Sequence, residues 1–317
     1  MSDNLIQAID LVKYFETNNG TVHAVDHVNL SIPTGKTLGV VGESGCGKTT
    51  LGRCMINLIP PTSGQVLLNG QNILDKKYDK KQLRKDLQII FQDPYSSLDP
   101  RKTVADIIAE PLISNRICSS KAERKERVAD IMETVGLAQR LANSYPHELD
   151  GGRRQRIGVA RALVIDPKFV VCDEPVSALD VSIQAQILNL MMDIQEQRGI
   201  AYMFITHDMS VVKHISQELL VMYLGEVVEQ AEKRELFAHP VHPYTKALLA
   251  AVPVPDAARR NMKKELIRGE VTSPINPKPG CRFASRCPYA TEECKGSNLP
   301  LREISKGHFV RCCHPLV

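Results

Sequence analysis

The sequence has no strong charge of either sign. Forty lysines and arginines stand against 36 aspartates and glutamates, a formal +4 at neutral pH over 317 residues. So mild a bias gives no electrostatic argument for a nucleic-acid partner. Long apolar runs are also missing: nothing approaches the roughly 18 uninterrupted apolar residues that cross a bilayer. The opening segment MSDNLIQAID lacks the basic and apolar regions of a secretory signal. These absences lead to the expectation of a cytoplasmic chain, where thiols stay reduced and cysteines do not serve as disulfides. What is present is a globular composition, 43% hydrophobic and 24% charged. The length calls for one large core with an appended part.

Residues 37 to 50 organise the rest. A short apolar run ends in Gly42-Glu43-Ser44-Gly45-Cys46-Gly47-Lys48-Thr49-Thr50, the spacing of a strand that stops, wraps its amides around a polyphosphate and restarts as a helix. Glycines let the backbone approach the oxygens. Lys48 is placed to reach the β- and γ-phosphates, and the Thr49 hydroxyl to help hold Mg²⁺.

Residues 5 to 32 alternate as strands, with Asn18, Asn19 and Gly20 at the turn between them. Gln65 to Leu68 is a further strand, closed by the hairpin-type pair Asn69-Gly70, and the lysines and aspartates from Asp75 to Asp86 read as a solvated face or loop. Leu87 to Phe91 is strand-like and ends at Gln92-Asp93-Pro94. From about 100 to 165 the pattern turns helical. Ser120 and Glu123 form a capping box, and Val128, Ile131, Met132 and Val135 share a face. Leu149 to Arg153 is a turn opening a basic helix from Arg154 to Leu163. Phe169 to Cys172 is an apolar strand running into Asp173-Glu174. A helix through Ile183, Ile187, Leu190, Met191 and Ile194 ends at Gly199, and a strand from Ile200 to Thr206 ends at His207. Strands alternating with helices, several of them apolar on both faces, predict a buried parallel sheet with its site at the strands' carboxyl ends. A helix near Tyr244 to Ala251 precedes Pro253, Pro255, Pro274, Pro277 and Pro279, which predict an extended connection.

Five of the nine cysteines, Cys281, Cys287, Cys294, Cys312 and Cys313, lie at the carboxyl end, while Cys46, Cys54, Cys118 and Cys172 are scattered. Cys281, Cys287, Cys294 and Cys312 are separated by five, six and seventeen residues. Four thiolates suit Zn²⁺ or an iron–sulfur cluster in a lobe with little apolar core. Without the close pair of a zinc ribbon, the spacing leans towards [4Fe-4S], with Zn²⁺ and free or buried thiols as the alternatives and Cys313 competing for the fourth place.

GESGCGKT at 42 to 49, Gln92, LDGGR at 149 to 153, FVVCDEP at 169 to 175, SALD at 177 to 180 and His207 occur in one order. Over residues 5 to 252 the chain resembles the nucleotide-binding subunit of an ATP-binding-cassette transporter. FQDPYSSLDPRKTV at 91 to 104, HPYTKALLAAVP at 242 to 253 and the tail GCRFASRCP at 280 to 288 with HFVRC at 308 to 312 are similar to the dipeptide and oligopeptide importer branch, which includes nickel importers. Within that branch the chain looks most like the second of two paired ATPases. The resemblance implies an α/β P-loop NTPase fold with a parallel core sheet, an N-terminal antiparallel β-subdomain and a helical signature subdomain at about 93–165. The ATPase domain would span 1–252, and 253–317 would form the Cys-rich extension.

The resemblance also implies roles. Asp173, with Thr49 and Gln92, would hold Mg²⁺; Glu174 would be the general base, and His207 would contact the γ-phosphate. Gln92 would link the site to the membrane subunits, and Phe15 would stack on adenine, with Tyr14 as its rival. ATP would be sandwiched between this phosphate loop and the signature of another subunit. In this chain's signature, Asp150 and Arg153 stand where the family has serine and glutamine, beside Gly151 and Gly152. Two unit charges about 4 Å apart at an effective dielectric near 20 repel by about 4 kcal/mol, so this turn is expected to close poorly on ATP, with Arg153 offsetting part. The implied partners are a second ATPase, two transmembrane permease subunits and an extracytoplasmic peptide-binding protein, with no nucleic acid, at the cytoplasmic face of the membrane. The alternatives are a nickel or metal-chelate importer of the same branch and a non-transport cassette acting on nucleic acid or ribosomes. The latter usually carries a coiled-coil insertion or a second cassette, and the sequence shows neither.

Overall fold

The computed structural model of the chain describes residues 4–252, 273–296 and 299–316. The proline-rich connection expected at Pro253 and Pro255 lies outside them. Pro274, Pro277 and Pro279 lie in non-helical chain, and Ile275 forms an isolated antiparallel bridge with Val22. The chain divides into two compact units: the described parts of Met1–Ile6, Ser31–Lys36 and Leu68–Phe204, and the described parts of Gln7–Leu30, Thr37–Leu67 and Ile205–Val317.

In the first unit, strands Leu87–Ile90 and Phe169–Asp173 pair in parallel, with Leu87 opposite Phe169 and Ile90 opposite Cys172. Every residue of Phe169–Asp173 is buried, as expected of a parallel strand covered on both faces. The helical segment comprises Val104–Ser114, Lys121–Thr134 and Gly151–Leu163 among others. Val128, Ile131, Met132 and Val135 are all buried, as their spacing predicts. Ser120 caps its helix through the Glu123 N–H (3.1 Å), but the Glu123 carboxylate reaches back to Ser119 N–H and Oγ (both 2.8 Å), one residue before the expected box. The helix Val181–Arg198 ends at Gly199 with φ 66°, and Asn69 and Gly70 take φ of 50° and 78°, the hairpin-turn geometry their pairing predicts. Of the solvated face or loop expected at 75–86, the structure shows the face: Lys80–Asp86 is a helix capped by Asp79 and anchored by buried Leu83, with Lys80, Lys81, Arg84 and Lys85 exposed. One apolar residue among lysines and an arginine leaves no amphipathic stripe to read.

In the second unit, strand Thr37–Val41 runs parallel to Glu218–Tyr223, which pairs antiparallel with Glu226–Glu232. Strand His308–Val310 adds antiparallel to Glu226–Glu232, placing Val310 opposite Glu229, and Arg302–Ser305 follows at the edge. The extension thus supplies strands to this sheet. Val41, Val221, Tyr223, Tyr244 and Phe283 share one apolar cluster, against which Cys281 and Cys287 also pack.

Candidate functional site

The fully buried strand Thr37–Val41 delivers the chain into the phosphate loop, and the helix Lys48–Met55 takes it away. Two glycines have no substitute here. At Gly47 (φ 105°) a Cβ would stand 1.9 Å from the Ala24 carbonyl oxygen, and at Gly42 (φ 154°) 2.2 Å from that of Met222. Ser44 and Gly45 are exposed, Thr49 and Thr50 half-buried, and Cys46 buried. Lys48 is only 5% exposed; its Nζ donates to the carbonyls of Gly42 (2.8 Å) and Glu43 (2.9 Å). The ammonium is therefore held over the mouth of the loop by the loop's own backbone. Glu43 is held twice more. Its N–H donates to the Tyr244 hydroxyl (2.8 Å), and Arg286 Nη1 and Nη2 donate to its two carboxylate oxygens at 2.6 and 3.0 Å.

The parallel register of the first unit does the same for the acidic strand end. With Ile90 opposite Cys172, the next residues but one, Gln92 and Glu174, come level, and Gln92 Nε2 donates to Glu174 Oε2 at 3.0 Å. Asp173, 4% exposed, precedes it. Glu174 takes φ 48°, a conformation unusual for a residue with a long side chain. His207 is exposed at the end of strand Ala201–Thr206, next to Asp208, which caps the helix Met209–Ile215 through Ser210 N–H (2.7 Å).

At the signature turn, Asp150 caps the helix Gly151–Leu163. Its Oδ1 accepts the Arg153 N–H (2.8 Å), and its Oδ2 lies 3.4 Å from Arg153 Nη1. The helix therefore starts at Gly151, earlier than the turn reading placed it, because a capping aspartate lets the glycines join the first turn. The pleat separates Tyr14 from Phe15. Tyr14 stacks on His23 (centroids 3.9 Å apart) and donates its hydroxyl to Asp26 (2.5 Å), whereas Phe15 stays 37% exposed with Lys13 Nζ 4.8 Å from its ring centre.

All nine cysteines are free. Cys281, Cys287, Cys294, Cys312 and Cys313 line one cavity of about 10 Å³ together with His242, room for roughly one water-sized body. Burial pushes the thiols of Cys281 up to about 12 and Cys312 up to about 11, so without a cation they stay protonated. Burial also lowers His242 to about 3. Its Nδ1 accepts the Tyr244 N–H (3.1 Å), while Nε2 is buried without a partner among the described residues. The donor chemistry suits a thiophilic metal. However, among the described residues no group of three or more His, Cys, Asp and Glu is arranged to hold a metal ion. The expected iron–sulfur cluster and its zinc alternative thus find no support in this arrangement, which is too tight for a cubane as it stands.

Residues 25–177 match the family described as ABC transporter, and residues 228–294 match the oligopeptide/dipeptide transporter, C-terminal region. The chain is 49% identical to the oligopeptide transport ATP-binding protein OppF of Salmonella typhimurium, covering 97% of this chain and 95% of that protein. It is 48% identical to the oligopeptide transport ATP-binding protein AppF of Bacillus subtilis, covering 98% and 97%. The chain belongs to the ATP-binding-cassette family of transport ATPases. Among solved cassettes it is similar to cbiO1 from Clostridium perfringens, part of an ABC transporter complex, at TM-score 0.66 and 28% identity over 75% of this chain and 92% of that one. A dimeric post-hydrolysis cassette bound to ADP and Pi matches at TM-score 0.65 and 29% identity over 72% and 99%.

As a cassette ATPase the chain has the expected α/β P-loop fold. No helix among its described residues is long and apolar enough to cross a membrane. Two contacts to the cassette's phosphate loop escaped sequence reasoning, those from Tyr244 and Arg286. Both lie in segments that had served only as family markers, HPYTKALLAAVP and GCRFASRCP; the signal was an arginine and a tyrosine without an assigned partner.

Proposed function

We propose that this chain is the ATP-hydrolysing subunit powering import of di- or oligopeptides, working at the cytoplasmic face of the membrane as one half of an ATPase pair. The observation that carries the reading is the joint match to the cassette and to the peptide-transporter C-terminal region within one chain. The near full-length relatives named for oligopeptide transport support it.

Hydrolysis of ATP needs a held phosphate chain, a neutralising metal and an oriented water. Lys48 and the loop amides between Gly42 and Thr50, other than that of Glu43, would hold the phosphates, and the exposed Phe15 would carry the adenine. Thr49, Asp173 and Gln92 offer the hydroxyl, carboxylate and amide oxygens that suit Mg²⁺, which neutralises charge developing on the phosphates. Glu174 would take the proton of the attacking water, with Gln92 fixing its carboxylate; His207 would hydrogen-bond the γ-phosphate. Partners would be a second ATPase, two permease subunits and an extracytoplasmic peptide-binding protein. Purification of the tagged chain from detergent-solubilised membranes tests this. Two multispanning proteins and a different cassette ATPase are expected; soluble recovery with ribosomal or DNA-bound proteins would overturn the transport reading.

The signature carries a further expectation. The Asp150–Arg153 pair is exposed, 61% and 49%, and such pairs contribute little, about 0–1 kcal/mol. Arg153 therefore offsets only part of the repulsion between Asp150 and a γ-phosphate, and the site using this signature would turn over slowly. Asp150→Ser keeps a capping oxygen and removes the charge. ATPase activity of the assembled complex should rise roughly tenfold, which needs about 1.4 kcal/mol of the repulsion to survive solvent screening. No rise with assembly intact would sink the degenerate-site argument.

The cysteines Cys281, Cys287, Cys294 and Cys312 are proposed to take a thiophilic metal on the chemistry of their side chains alone. Iron, sulfide and zinc analysis of anaerobically purified chain should find one of the metals in stoichiometric amount. Absence of both would leave one buried and four half-buried thiols with a packing role.

A further inference from the structure

We infer that Arg286 and Tyr244 are positioning residues for the phosphate-binding loop, through which the C-terminal region of the chain sets the loop's charge and shape. The inference rests on the ATPase reading and extends it. The loop carries an acid, Glu43, directly after Gly42. A free carboxylate there would oppose a polyphosphate, since like charges brought close together repel. Arg286 removes that charge with a two-pronged pair, 2.6 and 3.0 Å, in which the arginine side chain is only 6% exposed. A bidentate guanidinium fixes direction as well as charge. Its own position is set from behind. Nη1 also donates to the Tyr223 hydroxyl (3.2 Å), and the guanidinium lies 5.8 and 5.9 Å from the ring centres of Tyr223 and Phe283.

Tyr244 acts on the same residue from the backbone side. Its hydroxyl accepts the Glu43 N–H at 2.8 Å, so that amide is turned towards the protein. The ring is fully buried and packs edge-on to Tyr223, 4.8 Å between centroids. Pro243 opens its helix, and His242 caps that helix through the Tyr244 N–H itself. With Lys48 on its carbonyl, Glu43 is fixed at amide, carbonyl and carboxylate. A loop held this way meets a nucleotide without first losing conformational freedom, and this is what preorganisation contributes to affinity.

The test is calorimetric titration of MgATP into the full-length purified chain, with thermal unfolding of each variant alongside. Arg286→Ala leaves Glu43 unpaired and should weaken MgATP about tenfold or more. Glu43→Gln placed in the Arg286→Ala background removes the stranded charge and should recover most of that loss, which a role confined to folding the lobe would not allow. Arg286→Lys, a point charge without the fork, should fall between and reads the same quantity if the alanine variant does not fold. Tyr244→Phe should weaken binding with little change in unfolding temperature. Affinity unchanged in Arg286→Ala, or equal loss in the single and double variants, overturns the inference. A wild-type chain that does not bind MgATP overturns instead the ATPase reading beneath it.

Discussion

Replacing Glu174 by glutamine is expected to lower ATP turnover of the assembled transporter by at least about a hundredfold, the lower end of what a general base contributes, while ATP remains bound. The argument begins in the sheet register. Parallel pairing that sets Ile90 against Cys172 brings Gln92 level with Glu174, and the 3.0 Å bond between them fixes one carboxylate oxygen. The backbone of Glu174 lies at φ 48°, a conformation costing about 1–3 kcal/mol. The turn after it holds it there: Ser177 N–H and Oγ both donate to the Glu174 carbonyl, at 3.3 and 3.1 Å. Strain maintained at a strand end by a local turn aims the side chain, and an aimed carboxylate is what proton abstraction from water needs. Glutamine keeps the shape and can still accept from Gln92, but it cannot take a proton. Phosphate release and retained nucleotide, measured on the same complex, separate the two effects. Turnover within about threefold of wild type would remove Glu174 from the role of base.

The same register shows what a reader of the sequence can and cannot see. Glu174 was legible because it ends a short apolar run, and Gln92 only through the family resemblance. That they touch was not, since register is a property of two strands 82 residues apart. The phosphate loop was legible because its glycines, lysine and threonine act within one turn of chain. Its clamp was hidden: Arg286 and Tyr244 lie 243 and 201 residues from Glu43, and nothing local marks either as a partner. The sequence left Tyr14 and Phe15 as rivals, because the pleat that turns neighbours to opposite faces leaves no mark on a pair of adjacent aromatics. The sequence presented Asp150 only as a misplaced charge; its capping bond to Arg153 N–H shows why an aspartate is tolerated there. Strand Arg302–Ser305 is exposed along its whole length, so it lacks the alternation by which edge strands are found.

Glu229→Ala is expected to destabilise the chain by about 3–5 kcal/mol, the cost of removing one partner from a buried polar pair. Glu229 is 0% exposed on the strand Glu226–Glu232. Its carboxylate accepts from three donors, the N–H groups of Val241 (3.0 Å) and His242 (2.9 Å) and His308 Nε2 (2.8 Å). One side chain thus ties the start of helix Pro243–Ala251 to the added strand His308–Val310. Alanine leaves two backbone donors without a partner where water does not reach, and leaves His308, itself 1% exposed, only its longer Nδ1 contact with Glu235 at 3.7 Å; each buried group so stranded costs about 1–3 kcal/mol. Glutamine has a single accepting oxygen for three donors, so Glu229→Gln should lie between wild type and alanine in unfolding midpoint. The consequence reaches the phosphate loop: His242 is two residues from Tyr244, whose hydroxyl holds the Glu43 N–H, so loosening the carboxylate loosens the clamp. Thermal unfolding of the full chain should place the three proteins in that order, and MgATP affinity measured below the alanine variant's midpoint should follow it. An alanine variant that unfolds at the wild-type temperature would show that the segment's burial, and not this carboxylate, holds the C-terminal region in place.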